Sequence, residues 1–420
     1  MVRFGLAAVL LGACSFRTNG ATGDGAPPRD STPIDLPVDV MPDGPPPVAC
    51  TAASASCLDG NTLETCTGPS AQPVVTTCPW GCLTSGTDHC GALAPAGGAV
   101  TSSDLAAGGG NLGDVTMGPT VVDTEIGTIA GVTSGYTFTT RNNVGIFRFR
   151  SLTIDGPIAF TGKHAVAFVA LDAITVNSTI DARGPCALSR ITAGPGGFDG
   201  GAGDTAASGS GGGGTNAGKN DGGGGGGHGG NGGQGGNNGG AGGATFGDDQ
   251  ISALVGGGGG GGGHNTGHDG GGGGGAIQLV SNTSLVINTG GINAGGCGGT
   301  STSNDGNGGG GGGGAGGTIL LEGPTVRISG NLAVNGGAGG GNTTDGGDGS
   351  LDRNAATNGD GGGAGGAGAT TAGTGASTGG GGGGGVGRIR INTRSGQATI
   401  TGVLSPDVGT TTTQGTATIN

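Results

Sequence analysis

Four stretches of this chain can be written under one another. They are VAFVALDAITVNSTIDARG (166–184), IQLVSNTSLVINTGGINAGG (277–296), ILLEGPTVRISGNLAVNGG (319–337) and IRINTRSGQATITGVLSP (389–406). Each holds three short alternating apolar segments separated by a few turn-type residues. In the second stretch the apolar positions are Ile277/Leu279, Leu285/Ile287 and Ile292/Ala294; in the third they are Ile319/Leu321, Val326/Ile328 and Leu332/Val334. Period-two alternation with β-branched residues predicts half-buried strands. A fifth unit, IFRFRSLTIDGPIAFTG (146–162), runs into the first of the four without an insertion. Three short strands in roughly twenty residues, repeated, predict an all-β fold over 100–420, a right-handed parallel β-helix whose inward residues stack into one core. An antiparallel sandwich fits less well, because the units repeat as triplets rather than as hairpin pairs.

Glycine changes the picture next. The chain has 116 glycines in 420 residues, with only 3% aromatic and 10% charged residues. Most of them fall after the third strand of a unit, in tracts at about 185–275, 297–317 and 337–387. These are expected as insertions at one corner of the stack. In HGGNGGQGGNNGGAGGA (228–244), His228, Asn231, Gln234 and Asn237 are three apart, and Asn238, Ala241 and Ala244 resume the spacing after a slip of one. Three residues per turn is polyproline II geometry, which glycine adopts without proline. The tracts are therefore expected as polyglycine II-like bundles or as disordered glycine linkers. The segment TFGDDQISALV (245–255) interrupts the glycine and is expected to dock on the scaffold.

Ahead of the repeats the texture differs. MVRFGLAAVLLGAC (1–14) has Arg3, an apolar run and small residues, the outline of a secretory signal. Residues 15–48, rich in Pro, Asp, Gly and Thr, cannot bury a core and are expected as an extended tether. The segment 49–92 carries Cys50, Cys57, Cys66, Cys78, Cys82 and Cys90, which in an exported chain predicts a small disulfide-rich module. The spacing does not choose among the pairings. Cys78 and Cys82 have three residues between them, which misses the CxxC spacing of redox and zinc motifs. Two further cysteines, Cys186 and Cys297, follow the equivalent positions Ala182 and Ala294 of successive units. Strands of adjacent coils lie about 4.8 Å apart, inside the Cα separation a disulfide needs, so these two are expected to be bonded.

Leu11-Gly12-Ala13-Cys14 resembles the bacterial lipobox, which implies a lipid anchor on Cys14; Ser15 after it implies outer-membrane sorting. Lipobox, tether, six-Cys segment, and then GGGGGAIQLV, GGAGGTILLEGPTVRISG and GGGGGVGRIRIN together resemble Gly-rich surface lipoproteins of Gram-negative bacteria. The glycine tracts also have a low-complexity similarity to the PGRS regions of mycobacterial surface proteins. The resemblance implies location and architecture, and no activity.

Candidate chemistry is sparse. The net charge of −13 argues against nucleic acid as a partner. Carbohydrate-active β-helices need grouped carboxylates on one face. Here the strands carry Asp172 and Asp181 with Arg183, Glu322 with Arg327, and Arg388, Arg390 and Arg394, without carboxylates at matching positions. By alternation Glu322, Arg388 and Arg390 are expected to face solvent. His264, His268 and Asp269 offer ligand types but no rigid spacing, and GGDGSLDRN (346–354) lacks the Asp of a calcium repeat. No metal site and no cofactor are expected. The sequence thus predicts a non-enzymatic, outer-membrane-anchored surface protein, a structural or adhesive scaffold. Its expected partners are the membrane through the lipid and polysaccharide or other envelope and matrix components. The alternative is a carbohydrate-active β-helix enzyme of the lyase or hydrolase kind.

Overall fold

A computed structural model describes residues 49–420 apart from 109, 217 and 303–307. The signal, Cys14 and the 15–48 tether lie outside the described residues. Residues 49–420 form one compact unit.

The fold is all-β and is built mainly from long parallel sheets. Each repeat unit places one strand in each of three sheets. The first sheet runs through Tyr136–Arg141, Val144–Phe149, Ala165–Ala170, Ala276–Ser281, Thr318–Gly323, Arg388–Thr393 and Thr412–Thr416. The second holds Asp114–Met117, Ser151–Ile154, Ile174–Val176, Leu285–Ile287, Val326–Ile328 and Thr399–Ile400. The third holds Thr128–Ile129, Thr120–Asp123, Ile158–Thr161, Thr179–Asp181, Gly291–Asn293, Asn331–Ala333 and Leu404–Ser405. Pairing is parallel except at one end, where Tyr136–Arg141 runs antiparallel to Val144–Phe149 and Thr128–Ile129 runs antiparallel to Thr120–Asp123. Asn142 and Asn143 at φ 50° and 59° make the tight hairpin turn there, a conformation Asn tolerates.

Register follows the hydrophobic alternation. Ile277 and Leu279 pair with Ile319 and Leu321, Leu285 and Ile287 with Val326 and Ile328, and Ile292 with Leu332. These side chains, with Val166, Phe168, Ile389 and Ile391, are buried in one continuous core. A one-residue slip would turn all of them outward. Most of the rare aromatics sit at the antiparallel end, where Phe168 packs edge-on to Phe147 and Phe149 at 5.7 and 5.9 Å.

The inner strands of the first sheet are buried on both faces, which the alternation did not foresee. Leu93, Ala99, Val100 and Leu105 from the segment before the repeats pack on its outer side, with Trp80, Ile251 and Leu254. The six-Cys segment lies within the same compact unit as the repeats. Its bridges are Cys50–Cys66, Cys57–Cys82 and Cys78–Cys90. Trp80, 1% exposed, donates from Nε1 to Asn282 at 2.9 Å. The segment 245–255 docks on the same face: Gly97 N donates to Ile251 O, and Leu254 N to Gly97 O.

This covering layer corrects the expectation for three charged residues. Glu322 does point away from the core, but it is 1% exposed. Its Oε1 accepts from Ala96 N at 3.1 Å and Asn392 Nδ2 at 3.0 Å, and its Oε2 from Gln278 Nε2 at 2.7 Å. Arg388 and Arg390 are likewise buried. Arg388 pairs with Asp249 and donates to Phe246 O; Arg390 donates to Asn392 Oδ1 and Gln414 O. They are not a solvated end-cap. Arg327, on the open face of the second sheet, is exposed.

Candidate functional site

All three glycine insertions leave the third sheet and return to the first. Their backbones hydrogen-bond to one another with a three-residue period. In the second insertion Gly310, Gly313 and Gly316 donate to Gly379, Gly382 and Gly385 of the third insertion. Gly312 and Ala315 donate to Gly261 and Gly258 of the first. Gly311, Gly314 and Gly317 donate to Thr300, Cys297 and Ala294 on the outgoing leg of their own insertion. Successive N–H groups thus point in three directions about the chain axis. In the first insertion Gly223 and Gly226 donate to Gly310 and Gly313, and Gly224 and Gly227 to Gly214 and Gly211. A side chain at an interior position would strike a neighbouring backbone: a Cβ on Gly257 would lie 2.5 Å from the carbonyl oxygens of both Ala315 and Gly316. Close approach, more than conformational freedom, is what requires glycine here.

The same geometry explains the spacing of the residues that are not glycine. In the outer segment 230–236, Gly232 and Gly235 bond to one neighbour and Gly233 and Gly236 to another. The third direction is open, and Asn231, Gln234 and Asn237 occupy it, exposed. His228 is the exception. It is buried, stacked on Phe246 at 4.6 Å, and its Nδ1–H donates to Gly316 O at 2.9 Å. Burial, with Arg388 nearby, lowers its pKa to about 4, so the ring is neutral at pH 7.

Cys186 and Cys297 form a disulfide with Cα atoms 5.3 Å apart, next to the paired residues Asp181 and Asn293. With Asp348 they are the cluster of metal-ligand types closest together among the described residues. The disulfide removes both thiolates, and Asp348 pairs with Arg190 at 3.3 Å. His264 bonds Asp204 at 2.9 Å and Asp269 accepts from Gly203 N, and among the described residues His264, His268 and Asp269 do not come together as one ligand set. Asp181 pairs with Arg183 on the third sheet. Burial pushes the Glu322 carboxyl above its ordinary range, although three hydrogen bonds oppose the shift.

One groove collects chemistry that no sequence motif marks. It lies where the chain turns from Ile158–Thr161 to Ala165–Ala170 through Gly162, Lys163 and His164, the corner without a glycine insertion. The next corner carries the first insertion, and Gly196 N donates to Lys163 O at 2.9 Å. The step between the two leaves two adjoining cavities of about 460 and 260 Å³ that share Glu125, Lys163 and Gly197. His164, Asn142, Asn143 and Phe198 line the larger and Asp199 the smaller. The side chains of Glu125 and Lys163 are exposed and make no hydrogen bond or ion pair among the described residues. Asp199 Oδ1 accepts from Ala193 N at 2.9 Å, and His164 Nδ1 lies 3.2 Å from Thr124 O. Phe198 is held edge-on to Phe246 at 6.0 Å, and Gly209 leaves it room, since a Cβ there would overlap the ring. The missing insertion at 162–164 is the one signal in the sequence for this groove.

No protein-family model, curated protein or solved structure matches the chain. Among the described residues no helix is long and apolar enough to cross a membrane.

Proposed function

We propose that the chain is a parallel β-helix carrying a polyglycine II-like slab, and that it serves as a non-enzymatic scaffold on the bacterial surface, structural or adhesive, anchored in the outer membrane through a lipid on Cys14. The observation that carries this reading is the residue-by-residue exchange of backbone hydrogen bonds among all three glycine insertions. Such an array spends its polar groups on itself and holds its exposed Asn and Gln side chains at a fixed spacing, which suits display. The disulfides fit an oxidising, exported setting, and the resemblance of residues 11–14 to a lipobox supplies the anchor.

The test is fractionation and mass spectrometry of the full chain expressed with its own leader in a Gram-negative host. An acylated Cys14 at the mature N-terminus, recovery in the outer membrane and removal by protease added to intact cells are expected. Cys14→Ala should shift the protein to the soluble fraction. A mature chain that starts elsewhere and stays soluble sinks the anchored reading. The alternative, a carbohydrate-active enzyme, draws on the carboxylates of Glu125 and Asp199 in the groove; release of reducing ends from a polysaccharide panel would favour it.

A further inference from the structure

We infer that the groove around Lys163 is a saccharide-binding site, taking a short run of a neutral polysaccharide chain. A sugar ring presents hydroxyls along its rim and C–H groups on its faces. A site for it therefore needs acceptors, donors and a flat apolar surface close together, with little net charge. The groove has these elements. Glu125 and Asp199 are acceptors, Lys163 is a donor without a partner among the described residues, and Asn143 offers its amide. Phe198 supplies the aromatic surface, and its orientation is set by Phe246 behind it. Two carboxylates against one ammonium leave the groove slightly negative, which disfavours a polyanion.

The groove is built rather than incidental. The larger cavity falls within the range of small-molecule sites, roughly 300–1,000 Å³. Its continuation past Lys163 gives a chain a path in both directions, so that more than one sugar unit is in contact. Its walls come from parts of the chain far apart in sequence: the 123–127 turn, the 142–143 hairpin, the 162–164 corner, the start of the first glycine insertion and residues 253–255. Two of these walls are tied in place by bonds outside the groove. Asp123 holds the Glu125 and Ile126 amides, and Asn142 Nδ2 donates to Gly98 O. A site on such a support avoids the cost of ordering its loops, and binding has only the Glu125 and Lys163 side chains to order.

This inference rests on the surface-scaffold reading only for where the protein meets polysaccharide, and the two can fail separately. The experiment is affinity electrophoresis of the purified full chain in gels containing mannan, dextran or soluble β-1,3-glucan, with polygalacturonate as the charged control. Retardation by at least one neutral polymer is expected. Glu125→Gln and Lys163→Ala should each weaken it tenfold or more while leaving the unfolding midpoint unchanged, because neither side chain has a partner among the described residues. Phe198→Ala should abolish retardation. If that variant does not fold, the two surface variants carry the test. Retardation by none of the neutral polymers, retardation by polygalacturonate alone, or binding that both surface variants leave intact would overturn the assignment. Loss of surface exposure in the fractionation experiment would not bear on it.

Discussion

Replacing Gly257 by Ala adds one methyl group at the junction of the first and second glycine insertions. That methyl would lie 2.5 Å from the oxygens of Ala315 and Gly316, nearly 1 Å inside ordinary contact, which begins at 3.4 Å. Neither obstacle is a side chain that could rotate away. The two backbones must separate, and both are bonded elsewhere: Gly257 N to Gly274 O at 2.8 Å, Gly257 O from Phe198 N at 3.0 Å, and Ala315 N to Gly258 O at 2.8 Å. Losing two or three such bonds costs about 1 kcal/mol each. Overpacking strain adds roughly 1–3 kcal/mol, so a destabilisation of about 3–6 kcal/mol is expected. Gly68→Ala is the matched control. Nothing lies within 4 Å of its Cβ position, and the change should range from neutral to a gain of about 1 kcal/mol through the unfolded state. Urea unfolding of the full chain, followed by circular dichroism, measures both, and amide exchange of the tracts gives an independent reading. If the two variants unfold alike, or if the wild-type tract amides exchange at the unfolded rate, the glycine insertions do not form an interlocked array.

Leu321→Asp puts an unpaired carboxylate into the core and should cost roughly 3 kcal/mol or more, whereas Arg327→Glu on the open face of the second sheet should stay within about ±0.5 kcal/mol; equal urea midpoints would refute the alternation. Glu322→Lys strands three buried donors next to Arg390 and should also cost about 3–5 kcal/mol, read in the same assay. His228 has a folded pKa near 4 against an ordinary 6.5. Between those values the unfolded chain binds a proton that the native one refuses, so this group's contribution is full above pH 6.5 and falls as pH drops towards 4, by about 3 kcal/mol in all. Comparing wild type with His228→Gln across that window isolates the slope, and its persistence in the variant would exclude His228 as its source. Removing both Cys186 and Cys297 by serine substitution opens a loop with a sequence separation of 111, which chain entropy values at about 4–5 kcal/mol; peptide mapping of the non-reduced protein and the change in urea midpoint check the bond and its effect.

Strand positions and glycine spacing are legible in the sequence itself, because both are local periods of the backbone. Alternation assigns a face to Ile277, Leu279, Ile319 and Leu321, and their pairing follows from the repeat. The three-residue spacing of Asn231, Gln234 and Asn237 marks the solvent-facing direction of an extended chain. A local pattern fades where the unit is incomplete. Asp114–Met117 and Thr120–Asp123 belong to the second and third sheets, but their first-sheet partner is an antiparallel hairpin strand, so no triplet shows in 114–123. What covers a face depends on chain that is distant in sequence. Ala96 reaches Glu322 across 226 residues, and the layer that this contact belongs to turns an outward-pointing carboxylate into a buried one. Arg388 and Arg390 depart from expectation for the same reason. The groove at Lys163 is likewise a product of three-dimensional arrangement: each residue in it is ordinary in its own segment, and only the step between a bare corner and a glycine-filled one brings Glu125, Lys163, Phe198 and Asp199 to a common space. Periodicity thus determined which way each strand residue points, and tertiary packing decided what it meets there, because burial and proximity are properties of the whole folded chain.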